Sequence, residues 1–112
     1  MSDHPPDAST NAVFQALADP TRRAVLGELA HRTSGTTASE LARPLPVSRQ
    51  AVVKHLQVLS DAGLVEAERA GREVRFQVCP EPLHDAVAWI ADVGGRWDRR
   101  LERLKTQLER RR

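Results

Sequence analysis

The chain of 112 residues has a single cysteine, Cys79, so no disulfide can form within it. A lone thiol suits a reducing compartment. No apolar run approaches the roughly 18 residues that a membrane span requires. The first ten residues are polar, include Pro5-Pro6 and lack the apolar stretch of a secretion signal. A cytoplasmic protein with no membrane partner is the expectation. Excess charge of one sign is also missing: 17 Lys and Arg stand against 15 Asp and Glu, a formal net charge of +2. Affinity for a polyanion must therefore come from where the basic residues sit. The four histidines (His4, His31, His55, His84) and Cys79 are scattered, with no Cys-x-Cys or His-x-x-x-His pair. No metal site is indicated within the chain. There is no glycine-rich phosphate loop, nucleophile elbow or cysteine–histidine context. No catalytic residue, cofactor or enzyme activity is expected.

All the Lys and Arg residues except Lys54 and Lys105 are arginine, whose planar fork suits bidentate contacts. Apolar residues make up 40% of the chain, enough for a core, though a small one at this length. The expected division is a flexible tail over residues 1–10, a folded body over 11–80 and a C-terminal helix over 81–112.

Within the body, Asn11 is placed to cap a short helix carrying Val13, Phe14 and Leu17. Asp19-Pro20 starts a second helix with Val25, Leu26 and Leu29 on its apolar stripe, ending near His31. Thr37-Ala38-Ser39-Glu40 matches a capping box, so a short third helix opens at Thr37. Pro44 and Pro46 end it and set the turn before Ser48. The fourth helix, from Ser48 to about Ala62, buries Val52, Leu56 and Leu59. Arg49, Gln50, Val53, Lys54 and Gln57 lie on its opposite side, and Gly63 stops it. From Val65 to Val78 the period changes to two, with Val74, Phe76 and Val78 on one face and a tight turn at Gly71.

Pro80 and Pro82 end this hairpin, and a long helix follows from about Glu81. Ile90, Val93, Trp97, Leu101, Leu104 and Leu108 form a stripe close to a coiled-coil seam. Gly94-Gly95 is expected to interrupt it as a kink or a close approach of two helices. A seam projecting beyond a small domain would leave a large apolar patch, so a second copy of the chain is the expected cover. The tail at Arg110-Arg111-Arg112 is expected to fray in solvent.

Helix, turn, amphipathic helix and arginine-rich hairpin, in that order, form a winged helix-turn-helix, mainly α with a small β-hairpin. A helix entering the major groove of double-stranded DNA needs polar or forked side chains at its N-terminal end, backed by an anchored apolar face. Ser48 would cap the helix and touch phosphate, Arg49 and Gln50 would read guanine and adenine edges, and Val53 would touch a thymine methyl. Lys54 would reach phosphate or guanine, and Gln57 continues that face. Arg69, Arg72 and Arg75 cluster at the hairpin, suited to the minor groove or its phosphates, or to neutralising Glu66, Glu68 and Glu73. Thr21, Arg22 and Thr37 stand at helix N-termini, where amides and hydroxyls suit phosphate.

Phe14 to Arg23 followed by Val25-Leu26 resembles the opening of ArsR-type winged-helix repressors. Ser48 to Leu56, with Leu59 and Ala62-Gly63-Leu64-Val65, is similar to that family's reading helix. The resemblance covers about residues 11–78. The final helix, with Trp89, Trp97 and its leucines, resembles the metal-independent branch. This implies a homodimeric repressor of a palindromic operator. Val13, Phe14 and Leu17 of the first helix would share the dimer interface with Trp89, Ile90, Val93, Trp97, Leu101, Leu104 and Leu108 of the last. Metal-sensing members carry a cysteine pair where this chain has Ser39-Glu40-Leu41-Ala42-Arg43, and paired His and Asp ligands where it has only His84-Asp85. A small-molecule effector is left open. The rival readings are a metal- or redox-responsive repressor of the same fold, through Cys79 or histidines shared across a dimer, and a winged-helix module that binds protein instead of DNA.

Overall fold

A computed structural model describes residues 6–110. His4, residues 1–5 of the expected tail and Arg111-Arg112 lie outside the described residues. Five helices and one hairpin follow in the order α1 (Ala8–Leu17), α2 (Pro20–Ala30), α3 (Ala38–Ala42), α4 (Arg49–Asp61), β1 (Val65–Ala70), β2 (Glu73–Val78) and α5 (Glu81–Arg110).

Local chemistry sets the helix starts. The Asp19 carboxylate accepts from the Arg22 amide at 3.0 Å, with Pro20 in the first helical position. Ser48 Oγ accepts from the Ala51 amide at 3.1 Å and begins α4. The first helix corrects the expectation: Asp7, not Asn11, is its cap, accepting from the Thr10 amide at 2.8 Å. Helix α1 thus begins inside the stretch expected to be tail, because the extra turn buries Thr10 below Val13. The capping box at Thr37 forms only by half. Thr37 Oγ1 accepts from the Glu40 amide at 3.3 Å, but the Glu40 carboxylate turns away to the hydroxyl of buried Thr36.

The core lies where α1, α2, α3 and α4 meet, built from Val13, Val25, Leu29, Leu41, Val52, Leu56, Leu59 and Leu64. Burying each such side chain contributes about 1.5–3 kcal/mol. The hairpin pairs Val65 with Val78 through to Ala70 with Glu73. Only the first of its two turn residues, Gly71 at φ 66°, has positive φ, the arrangement of a type II′ turn. Thr36 and Phe76 exchange amide–carbonyl bonds at 3.1 and 2.8 Å, which adds a short third rung to the hairpin root. The hairpin runs beyond the body. Phe76 and Val78 are therefore half-buried, while Val74, expected on the same inner face, is exposed.

Helix α5 is continuous through Gly94-Gly95, which corrects the expected interruption. Its 30 residues span about 45 Å. Among the described elements only α1 packs against it, through Phe14, whose ring meets Trp89 edge-on at 5.6 Å. Ala86 is its one buried residue, and everything from Trp97 to Arg110 is exposed.

Candidate nucleic-acid interface

Helix α4 sits on the body by Val52, Leu56 and Leu59, all at most 1% exposed, so its remaining circumference is fixed in direction. Arg49, Gln50, Val53, Lys54 and Gln57 are all exposed on the far side. An exposed valine amid four polar side chains has no packing reason within the chain. Arg49 Nε donates to Ser39 Oγ of α3 at 3.0 Å. That bond uses the inner nitrogen of the guanidinium and leaves both terminal nitrogens for a bidentate acceptor. Gln57 Nε2 donates to Asp61 one turn on, at 2.9 Å. Gln50 and Lys54 have no side-chain partner among the described residues.

The hydroxyls of Ser48 and Thr37 accept the capping bonds of α4 and α3, so each still has a proton to donate outward. Arg22, read with Thr21 as a phosphate contact, also serves α1, through its inner nitrogen and with its two terminal nitrogens left over. Its Nε donates to the Ala16 carbonyl at 2.7 Å, and Arg23 reaches the Leu17 carbonyl at 2.6 Å, so the pair caps α1.

The three hairpin arginines separate in the fold. Arg69 and Arg72 are exposed near the tip, without partners among the described residues. Arg75 turns to the body, donating to the Gly35 carbonyl at 3.0 Å and pairing with Glu73 at 3.2 Å. The Thr36 hydroxyl holds the Glu40 carboxyl below its ordinary range, with Arg75, Arg32 and Arg43 adding to the effect. The hairpin root is thereby tied to the helix before α4. Sequence reasoning missed this role of Thr36, whose place is set by its bridge to Phe76, and the Ser39 contact, which crosses from α3 to α4.

The expected dimer residues divide over two sides of α5. Trp89 and Val93 are half-buried, as are Phe14 and Leu17 of α1, whereas Val13 is fully buried in the core. Ile90, Trp97, Leu101, Leu104 and Leu108 are 50–67% exposed, and Val87, not singled out from the sequence, joins them at 62%. Val87 carried a signal all the same, lying three residues before Ile90.

Cys79 is half-buried at the end of β2, and burial, with Glu66 and Glu81 nearby, pushes its thiol above the ordinary range. Among the described residues no three His, Cys, Asp or Glu side chains come together as a metal site would require. No helix there is long and apolar enough to cross a membrane.

A family profile described as a helix-turn-helix domain matches residues 17–68. The HTH-type transcriptional regulator Rv2034 of Mycobacterium tuberculosis is 44% identical over 93 residues, covering 83% of this chain and 82% of the relative. An ArsR-like transcriptional regulator from Rhodococcus sp. RHA1 superposes with a TM-score of 0.76 at 42% identity, covering 88% of this chain and 92% of that one. The homodimeric winged helix-turn-helix DNA-binding domain of Mb0332 from Mycobacterium bovis gives 0.59 at 28% identity, covering 84% and 82%. In fold, in the bare polar face of α4 and in sequence, the chain belongs to the ArsR family of winged helix-turn-helix transcriptional regulators.

Proposed function

We propose that the protein is a homodimeric repressor that binds a two-fold-symmetric operator in double-stranded DNA. The observation that carries this reading is the face of α4 left bare beside its Ser48 cap. Arg49 presents its two terminal nitrogens to a guanine, Gln50 pairs with an adenine edge, and Val53 covers a thymine methyl. Lys54 and Gln57 extend the contact along the groove. The Ser48 and Thr37 hydroxyls donate to phosphate oxygens at either side of the turn. Arg69 and Arg72 lie over the adjacent minor groove, while Arg75 acts from the hairpin root by holding its angle to the body.

Dimerisation supplies the two-fold symmetry and sets two reading helices about one DNA turn, roughly 34 Å, apart. The shared surface is the open side of α5 together with Phe14 and Leu17 of α1. The homodimeric relative from Mycobacterium bovis supports this assembly. Val13 contributes from the core beneath. We place the protein in the metal-independent branch, because α3 carries Ser39-Glu40-Leu41-Ala42-Arg43 with no cysteine, and Cys79 stands apart beside Glu66.

Selection of bound sequences from a random DNA pool tests the reading. An enriched palindrome is expected, and Arg49→Ala should lose about 1–3 kcal/mol of discrimination at one base step. Uniform weakening on all sequences would make Arg49 a phosphate clamp. A featureless pool would refute operator binding, and a shift in operator affinity on adding zinc would refute the metal-independent assignment. Transcription from a promoter bearing the selected site should fall when the protein is present.

A further inference from the structure

Arg49 is anchored at both ends of its side chain, and the two anchors lie on different elements. Its Cα belongs to α4, which is seated on the body by Val52, Leu56 and Leu59. Its Nε donates to Ser39 Oγ of α3 at 3.0 Å. That second anchor is itself fixed. Ala38 and Leu41, which flank Ser39 and Glu40, are buried, and Thr37 caps the helix. The Glu40 carboxylate accepts from the hydroxyl of buried Thr36. An arginine left to itself on an exposed helix face samples many rotamers, and ordering them is a cost of any contact it makes. A support on a rigid element removes part of that cost. Both side chains are exposed, so the fold itself gains little from the bond.

The bond also selects among modes of contact. A guanidinium meets a pair of acceptors either side-on, through Nε and one terminal nitrogen, or end-on, through both terminal nitrogens. With Nε given to Ser39, the side-on mode is closed. The end-on fork needs two acceptors, which guanine offers as O6 and N7. Adenine offers N7 beside an N6 amino group that is itself a donor, so a fixed fork sets donor against donor. A free arginine escapes by swinging to N7 alone, and a tethered one does not.

We infer that Ser39 is a positioning residue for base recognition, holding Arg49 end-on and so favouring guanine over adenine at the step that Arg49 reads. This rests on the reading of α4 given above and adds a residue outside α4 that sets its specificity.

Competition binding of the full-length protein tests it. The selected operator is set against the same site carrying adenine for guanine, at the step where Arg49→Ala relaxes the preference. Ser39→Ala should lower the preference for guanine about threefold to tenfold, and Ser39→Thr, which keeps the hydroxyl, should hold it within about twofold. In an Arg49→Ala background, Ser39→Ala should cost no further preference, since no fork is left to hold. Losses that add across the two positions would overturn the inference. So would equal weakening on every sequence, the mark of a phosphate contact or a support of the fold. In the DNA-free protein, the Arg49 Nε–H resonance, assigned by its absence in Arg49→Lys, should shift and exchange faster with water in Ser39→Ala. A resonance indifferent to that change would overturn the tether. Arg49→Ala losing the guanine preference while Ser39→Ala keeps it would overturn this inference alone. A resonance that responds to Ser39→Ala in a protein that selects no site would sink the operator reading and leave the tether standing.

Discussion

Gly35→Ala should destabilise the body by about 2 kcal/mol, and the figure follows from two separate costs. Gly35 lies at φ 83°, where a side chain costs roughly 1–2 kcal/mol, partly offset by the stiffer unfolded chain. An added Cβ would also stand 3.1 Å from Gln77 Cγ and 3.3 Å from the Phe76 carbonyl oxygen. Gln77 can swing aside. The Phe76 carbonyl cannot do so freely, because it accepts from the Thr36 amide at 3.1 Å. Moving it strains the third rung of the hairpin root, which adds about 1 kcal/mol. Gly71→Ala is the internal control: its φ is 66°, but nothing lies within 4 Å, so it incurs only the conformational cost of about 1 kcal/mol. Urea denaturation at one fixed protomer concentration, followed by circular dichroism, measures both, since a dimer's stability depends on concentration. The expected order is wild type, then Gly71→Ala, then Gly35→Ala, with unchanged slopes. Equal midpoints for the two variants would show that the Phe76 carbonyl yields without cost and would refute the reasoning.

Acid should weaken the α2 cap. The Asp19 carboxyl is held below its ordinary range, first by the Arg22 amide, so the unfolded chain takes up the proton more readily. The cap's contribution is therefore complete above the ordinary aspartate range and drains away as pH falls through the lowered folded value. Urea midpoints of Asp19→Ala and wild type should converge as the pH falls below the ordinary aspartate range and through the lowered folded value. Cys79 should be alkylated more slowly than a free thiol at neutral pH, and Glu66→Gln should speed the reaction, because the Glu66 carboxylate helps to hold the thiol protonated. Arg72→Ala should reduce the salt dependence of operator binding by about one unit in the log–log slope while sparing sequence preference, as measured by fluorescence anisotropy across a salt series.

The parts of this fold that were legible in the sequence are those whose causes are local. Ser48 followed by Val52, Leu56 and Leu59 gives the start, face and direction of α4 within one stretch, and Gly71 gives the hairpin turn. What was not legible depended on contacts between elements. Asp7 and Asn11 are both good caps, and the burial of Thr10 against the body decides between them. Glu40 had two hydroxyls to choose from, and the Thr36–Phe76 bridge brings the Thr36 hydroxyl within its reach. Gly94-Gly95 looked like a break because helix propensity disfavours it, yet propensity is a weak prior between long stretches of good helix formers. The seam was read with Val93 in place of Val87, since both are valines at nearly suitable spacing. Half-burial of Val93 and exposure of Val87 separate them. In the proposed interface, the polar set on α4 was visible in the sequence, but the Ser39 contact to Arg49 spans ten positions and two elements.

Arg22 and Arg23, by reaching back to the Ala16 and Leu17 carbonyls, weld α1 to the start of α2. Helix α1 is then one piece with the body, and among the helices and strands α1 is the one that α5 packs on, with its first turn also lying near Gly63. On the proposed assembly, the recognition code and the spacing code therefore occupy different segments of the gene. A chimera that keeps residues 19–78 and exchanges the α1 and α5 segments for those of a relative should read the same half-site at a new separation. Operator half-sites and operator gaps are then free to diverge independently, each by changes that leave the other intact.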